Sequence, residues 1–423
     1  MPAFQTVRGM RDLLGKDAQI FSNTLAKAQE TAFLFGFKEV FTPHVEHLDL
    51  LSAKTGDEIR QRMFIFEDLG KRQVALRPEF TASIARLVTS ALKNEPKPLK
   101  LFSTGTVYRY DEPQKGRYRE FWQSNFELIG SDKPEADTEI ILLTNKFLQT
   151  LGLQNYVFKI GHIGVIKGIL SHDGVDEKTQ NAILQRMDKK EYDLALKLID
   201  SEKCRTTLQS LINIKSKDWH DTVKQLSVLV AEYEKAKVAV ENLAEVITLI
   251  TSSAEISLNV EPAFARGLEY YTGIIFEVYI PQLEIAIGGG GRYDRLIEAF
   301  GGEATAAVGC AHGIDRVVIA LQTQNTEYLT NVKLGVMVIP VAESLKVDAL
   351  KIAQMLRDCG VSVEFELMGR KMGKALEDAD KRGLEYAIIV GERELKEGCV
   401  VVKDLKKREQ TTLLITELVE KLR

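Results

Sequence analysis

Residues 109–130 read RYDEPQKGRYREFWQSNFELIG, and the fold turns on how this stretch is read. It opens on Arg109, runs through a polar loop carrying Arg117 and Arg119, and closes on an alternating segment. Side chains two apart along a strand point the same way, so Gln123, Asn125 and Glu127 share one face. An amide and a carboxylate beside arginines make poor core material, because unpaired buried charge is costly. The pattern predicts strand, loop and strand, with that face as the floor of a site for a small polar molecule and a phosphate.

Upstream, residues 17–35 place Ile20, Phe21, Leu25, Ala28, Ala32 and Phe33 at helical spacing. Gly36 should end that helix, and Phe37–Phe41 reads as a strand running into Pro43. The segment RQVALRPEFTASIARLV then predicts a strand over Val74–Arg77, a polar turn and a helix from about Thr81. Downstream, residues 164–253 lack proline and repeat Leu, Ile, Ala and Lys at helical spacing, which predicts a helical module. Strand signals return at Ile256–Val260, Ile274–Ile280 and Glu284–Ile287, followed by a helix over Ala311–Leu321 and a polar linker at Gln322–Asn331. Beyond it, LGVMVIPV, VSVEFEL, YAIIVG and CVVVKDL alternate with helical segments at Ser344–Cys359 and Gly373–Arg382 and a final helix, the pattern of a small α/β domain.

A chain of 423 residues has room for two or three domains, each with its own core. Its net charge of −4 excludes a generally basic coat, so any nucleic-acid contact must use local patches. The four cysteines form no C-x-x-C pair, which argues against a zinc knuckle or a disulfide framework and suits a reducing cytosol. The N-terminal MPAFQTVRGMRDLLG has no apolar signal region, and no stretch approaches the ~18 apolar residues of a membrane span. A cytoplasmic protein without membrane contact is expected.

Three further segments hold polar groups that a core does not explain. In RPEFT, Glu79 and Thr81 sit at a strand–helix turn, where they would either cap the helix or clamp an ammonium group. In FARGLEYYTGIIFEV (264–278), Arg266 precedes Glu269, Tyr270 and Tyr271; the two tyrosines alternate in direction, so one should face a pocket while the other packs. The pair IGGGGRYDRL (287–296) and AAVGCAHGIDRVV (306–318) offers glycines for close backbone approach, without the G-x-G-x-x-G order of a dinucleotide site. The six histidines show no metal-binding spacing, although His44, Glu46 and His47 lie close together; no metal site is expected in the chain itself.

Together and in this order, the segments resemble the motifs of class II aminoacyl-tRNA synthetases, specifically the histidyl-tRNA synthetase family. The sequence departs from the family pattern at Phe80 (usually glycine), Glu269 (usually aspartate), Cys310 and His312 (usually hydrophobic) and Asp315 (usually glutamate). His312 is expected to pack inside the start of a helix. The resemblance implies an α+β fold: a six- to seven-stranded antiparallel sheet flanked by helices, a helical insertion over the acceptor arm, and a C-terminal α/β anticodon-binding domain. The implied boundaries are 1–163 and 254–325 for the catalytic core, 164–253 for the insertion and 331–423 for the anticodon domain.

The activity it implies is ligation of L-histidine to tRNA(His) through a histidyl-adenylate, with ATP as substrate, Mg2+ as cofactor and a homodimeric assembly. Arg266 and Arg109 would be catalytic. Glu79, Thr81, Gln123, Glu127, Tyr270 and Tyr271 would bind histidine. Arg109, Arg316 and one of Asp111 or Glu112 would bind ATP, the carboxylate touching the adenine amine. The C-terminal domain carries 17 Lys+Arg against 16 Asp+Glu, so RNA contacts would rest on clusters: Arg370, Lys371 and Lys374, and Lys403, Lys406, Lys407 and Arg408. A rival reading is the synthetase-like regulatory subunit of ATP phosphoribosyltransferase. That paralogue typically lacks the anticodon domain and the catalytic residues, both of which this chain keeps.

Overall fold

The computed structural model describes residues 4–53, 60–266, 270–283, 285–324 and 335–422. They divide into two compact units, Met1–Thr330 and Asn331–Arg423.

The first unit is built on an eight-stranded sheet. Its central pair is β5 (Leu99–Tyr108) and β6 (Glu120–Ile129), in register from Leu99 opposite Ile129 to Tyr108 opposite Glu120. With β1 (Lys38–Glu39), β7 (Val157–His162), β8 (Leu258–Val260), β9 (Ile274–Tyr279), β10 (Ala286–Arg292) and β11 (Ala307–Gly313), the order across the sheet is β1-β5-β6-β11-β10-β9-β7-β8. The interior pairings are antiparallel, while β1 on β5 and β8 on β7 are parallel. The sheet is therefore larger than the six or seven strands expected, and mixed at both edges. Those edge strands have two and three residues, too short to carry a readable alternation.

Each strand divides its side chains between two environments. One face, with Phe102, Phe126 and Phe276, packs under the helices Gly15–Leu34, Pro134–Thr150 and Ile314–Thr323. Burying a phenylalanine there stabilises the fold by about 1.5–3 kcal/mol. His312 joins this face, fully buried between Phe126 and Phe147, on β11 and not at a helix start. Its Nδ1 meets Ser124 Oγ and its Nε2 meets Thr144 Oγ1, both at 3.1 Å, and burial pushes its pKa down to about 3. The opposite face carries Gln123, Asn125 and Glu127.

Two segments differ from their sequence reading. The glycines 288–291 lie within β10 itself, held by pairing to β9 and β11 on either side; the strand signal was legible only at its apolar start. The helix placed over Ala311–Leu321 begins at Ile314, because Ala311–Gly313 complete β11. It continues to Thr323, and residues 325–331 of the expected linker lie outside the described residues.

A small antiparallel sheet of β2 (Val45–His47), β3 (Ile65–Glu67) and β4 (Gln73–Leu76), ordered β2-β4-β3, leads into Pro78, Glu79 and the helix Thr81–Thr89. Between β7 and β8 the chain is helical, from Ile163–His172 through Glu177–Asp188 to Glu234–Ser253. This last helix packs against Ile163–His172 and Pro134–Thr150, so the segment shares the core of the first unit.

The second unit is a five-stranded sheet of β12 (Val336–Pro340), β13 (Val363–Phe365), β14 (Tyr386–Val390), β15 (Cys399–Asp404) and β16 (Glu409–Leu414), ordered β13-β12-β14-β15-β16. Val336 and Val338 feed one apolar cluster and Met337 and Ile339 the other, so β12 is buried on both faces. Strand β16 has no counterpart in the sequence reading. It pairs only with β15, and its EQTTLL stretch stays largely exposed, so it shows no apolar alternation.

One polar contact ties the large sheet to its helical layer. Arg292, at the end of β10, donates from Nε to both oxygens of Asp137 at 3.0 Å and from Nη2 to Oδ2 at 2.7 Å. The two side chains are 8% and 0% exposed. Removing one partner of a buried pair strands the other charge, at a cost of roughly 3–5 kcal/mol. Because Arg292 also reaches Asp294 and the carbonyl of Ser131, Asp137→Ala should fall near the lower end of that range in urea unfolding. The double variant Asp137→Leu/Arg292→Leu should be more stable than the sum of the single losses implies. Strict additivity would show that the two charges are not coupled.

Candidate active site

The polar face of β6 forms the floor of a cavity of about 330 Å3. Across the sheet, Gln123, Asn125 and Glu127 stand opposite Gly313, Ala311 and Gly309 of β11. This run of small residues leaves room above the sheet. A Cβ on Gly309 would lie 1.8 Å from Glu127 Oε2, and one on Gly289 would lie 2.3 Å from Arg266 Nη1. Any larger residue at either position would occupy the space of a functional side chain.

Glu127 is 1% exposed. Asn125 Nδ2 donates to its Oε1 at 2.7 Å, and the Tyr293 hydroxyl donates to Oε2. Burial pushes its pKa up to about 7, against the opposing hydrogen bonds from Tyr293, Asn125 and Thr81. Gln123 is also buried, and its Oε1 meets no donor among the described residues. An amide oxygen without a donor costs free energy, and here it faces a cavity.

Glu79 takes both roles considered for it. Its carboxylate accepts the N–H groups of Thr81 at 2.6 Å and Ala82 at 2.9 Å, at the start of the helix Thr81–Thr89. It also lines the cavity, as does Thr81. Tyr270 and Tyr271 both line it, with ring centroids 4.9 Å apart; neither is confined to packing. They diverge from strand alternation because they precede β9 in an irregular turn. Glu269 lies outside the described residues. Phe80 is buried beneath the Arg77 guanidinium, whose Cζ is 4.1 Å from its ring centroid, so it occupies core and leaves the cavity unobstructed.

Arginines line the same cavity. Arg109 Nε donates to the Pro78 carbonyl at 2.9 Å. Arg266 Nη1 donates to the Phe276 carbonyl at 3.1 Å and forms an ion pair with Glu277 at 3.4 Å. Arg316 donates from Nε to the Gly116 carbonyl at 3.0 Å and from Nη1 to Ala286 at 2.9 Å. Neutral carbonyls thus hold all three forks, and Arg266 is also paired with a carboxylate. Burial lowers the Arg316 pKa, and the neighbouring Arg117 and Arg109 lower it further, as expected where like charges share a confined space.

The two carboxylates after Arg109 separate. Asp111 lines the cavity 3.3 Å from Arg62, whereas Glu112 is exposed and pairs with Arg8 at 2.7 Å. Glu112 is therefore dropped from the site: the loop turns it outward, one residue past the bend. The cavity also gathers residues given no binding role in the sequence reading, including Arg62, Asn125, Asp188 and Tyr293. Asn125 and Tyr293 carried a signal, a strand-face position and a glycine-rich neighbourhood. Arg62 and Asp188 carried none, since each reaches the cavity from a distant segment. Near β2, the Glu46 carboxylate is taken up by Arg86 at 2.8 Å.

The cavity thus gathers acceptors, tyrosines and guanidiniums in one enclosure. It suits a small cationic or amphoteric molecule placed against a polyanion.

The family model for histidyl-tRNA synthetase matches residues 9–317, and that for an anticodon binding domain matches residues 335–423. A histidine–tRNA ligase of Methanocaldococcus jannaschii is 39% identical over 420 residues, covering 98% of each chain. One from Metallosphaera sedula is 39% identical over 430 residues, covering 99% of this chain and 98% of its own. Among solved structures, histidyl-tRNA synthetase from Nostoc superposes with a TM-score of 0.83 at 22% identity, covering 100% of this chain and 99% of its own. A Bacillus halodurans protein described as an ATP phosphoribosyltransferase regulatory subunit/histidyl-tRNA synthetase gives 0.76 at 26% identity, covering 89% of this chain and 97% of its own.

The buried Glu127 makes stability depend on pH. Its folded pKa of about 7 lies above the ordinary 4.5, so the folded state holds the proton more tightly than the unfolded chain. That contribution is complete below about pH 4.5 and is lost as pH rises through 7, a change of about 3 kcal/mol. Urea unfolding of Glu127→Gln at pH 5 and pH 8 should lack this component. Equal pH slopes for the variant and the parent would show that Glu127 is ionised throughout.

Proposed function

The chain belongs to the histidyl-tRNA synthetase family, and from that premise we propose how its residues divide the work of charging tRNA with histidine. The activity is that of a ligase, with ATP as the energy-supplying substrate. The observation that carries the residue assignment is one cavity lined both by buried acceptors on β6 and by three carbonyl-anchored arginines, which we take as its histidine end and its nucleotide end.

At the first end, Glu79, Thr81 and the undonated Oε1 of Gln123 accept the α-ammonium of histidine. Glu127, held by Asn125 and Tyr293, meets the imidazole, with Tyr270 and Tyr271 closing around it. A carboxyl with a pKa near neutrality can accept from or donate to a ring nitrogen, and so selects a group that does both. At the second end, Arg109 and Arg266 hold the α-phosphate, Arg316 the γ-phosphate, and Asp111 the adenine amine. A carboxylate oxygen of histidine attacks the α-phosphorus, the bond to the bridging oxygen breaks, and pyrophosphate leaves. No proton moves in this step, so preorganised positive charge is what lowers the barrier. The terminal hydroxyl oxygen of the tRNA then attacks the histidyl carbonyl carbon, the bond from that carbon to the phosphate oxygen breaks, and AMP leaves with the hydroxyl proton.

Among the described residues, no group of three or more His, Cys, Asp or Glu side chains could hold a metal ion. Mg2+ accordingly belongs with the triphosphate, whose oxygens would be its ligands and whose charge it would offset.

We assign residues 1–163 and 254–325 to the catalytic core, 164–253 to a helical insertion over the acceptor arm, and 331–423 to recognition of the tRNA(His) anticodon. Arg370 is engaged by Glu366 and Asp378, both at 3.3 Å. RNA contact in this unit therefore falls to Lys371, Lys374, Lys403, Lys406, Lys407 and Arg408. A homodimer is supported by the exposed apolar groups Phe33 and Leu34 on the first helix, Phe41 in the segment after β1 and Phe66 on the small sheet. The cytoplasm is the proposed compartment; no described helix is long and apolar enough to cross a membrane. The regulatory-subunit reading is less supported, since the three arginines and the 331–423 unit would have no task in it.

Arg266→Ala should fold and lose about 10²–10³ in kcat for histidine-dependent ATP–pyrophosphate exchange, roughly 3–4 kcal/mol of transition-state stabilisation. A loss within about threefold would return Arg266 to a structural pair with Glu277. Truncation after Gln324 should leave adenylate formation in place while raising the KM for tRNA, the signature of lost uniform binding. Charging by the fragment at the full-length rate would remove the anticodon role from residues 331–423.

A further inference from the structure

Residues 8–11, Arg-Gly-Met-Arg, lie outside the cavity but grip two of its walls. The Gly9 carbonyl accepts the N–H of Arg119 at 2.8 Å, where the loop after Arg109 rejoins β6. Arg119 in turn closes that loop: its carbonyl accepts the N–H of Arg109 at 2.9 Å, and its Nε donates to the Asp111 carbonyl at 3.2 Å. Arg11 lays its guanidinium on Tyr118, with Cζ 3.6 Å from the ring centroid, and pairs through Nη2 with Asp315 Oδ1. The second oxygen of Asp315 accepts the N–H of Trp122 at 2.7 Å, one residue before Gln123. Tyr118 and Asp315 line the cavity. Asp315 also directly precedes Arg316, which holds the Gly116 carbonyl within the same loop.

Stability gives a poor account of Arg11. Its side chain is 28% exposed and that of Asp315 only 5%, and its Nη1 is buried without an acceptor among the described residues. A desolvated guanidinium with an unmade hydrogen bond is a costly way to fill space, and apolar side chains of similar volume at both positions of the pair would be no less stable. Arg8 is the contrast: its pair with Glu112 joins two exposed side chains, which contributes little.

We infer that Arg11 is a positioning residue for the nucleotide end of the cavity. It clamps the loop 109–119, through Tyr118, to the start of the helix Ile314–Thr323, through Asp315, and so sets the separation of Arg109 and Arg316. The ring contact holds the loop and the ion pair holds the helix, so one guanidinium ties the two together. The inference rests on the assignment of Arg109 and Arg316 to ATP.

The test is steady-state pyrophosphate exchange by the full-length protein, with KM measured separately for ATP and histidine and thermal midpoints recorded beside it. Arg11→Ala should lower kcat/KM for ATP about 10- to 100-fold, the effect of a small displacement of reacting groups, and leave the KM for histidine within about twofold. Arg11→Lys keeps the charge beside Asp315 but not the planar stack, so it should recover part of that loss. Equal shifts in both KM values, or a lowered midpoint with neither KM moved, would overturn the inference in favour of a structural role. If Arg11→Ala fails to fold, Arg11→Lys and Tyr118→Leu carry the same comparison. Arg316→Ala serves as the control. An unchanged KM for ATP in that variant would overturn the assignment beneath the inference, whereas a raised one beside an unaffected Arg11→Ala would overturn the inference alone.

Discussion

The structure depends on a carboxylate held dry above two glycine-bearing strands. Glu127 has room only because Gly309 stands opposite it on β11, with Gly291 next in line on β10. The register of three strands therefore sets a chemical property, the protonation of one buried group. A one-residue slip of β11 would exchange its faces, putting Cys310 against the cavity and Gly309 against the helices. Ten paired residues between β5 and β6, and seven between β6 and β11, hold the register against such a slip.

Around that carboxylate the site separates charge by end. The acceptor end gathers Glu79, Gln123 and Glu127, the first partly offset by the helix N–H groups it accepts. The arginines Arg109, Arg266 and Arg316 are steered by the carbonyls of Pro78, Phe276, Gly116 and Ala286, and of the three only Arg266 has an ion-pair partner among the described residues, Glu277. Such an arrangement costs folding energy that only a polyanionic ligand returns. Arg292 shows the opposite use of the same residue type: Asp137 and Asp294 neutralise it, and it braces the helical layer against the sheet.

Where sequence reading and structure part, the physical causes are specific. Glycines 288–291 have little strand propensity alone, yet pairing on both sides makes them a strand. Strand β16 escaped notice because an exposed edge needs no apolar alternation. His312, polar and next to a helix, read as part of that helix's start, but it sits on a strand and satisfies both ring nitrogens with the hydroxyls of Ser124 and Thr144. Asp111 and Glu112 could not be ranked in one dimension, since a single turn of the loop sends one inward and the other to solvent.

Local chemistry was enough to identify the β6 face, the arginines and the second, strand–helix unit, because alternation and residue type survive in one dimension. The sequence by itself therefore determined most of the polar residues that line the cavity and what kind of molecule such groups suit. Tertiary structure alone decided how those residues are tuned. Glu127 is raised toward neutrality by burial, against a hydrogen bond from Tyr293, a residue 166 positions away, and Asp315 is bound to Arg11 from 304 positions away. Desolvation and charge proximity are properties of three-dimensional neighbourhoods, and no spacing along the chain records them.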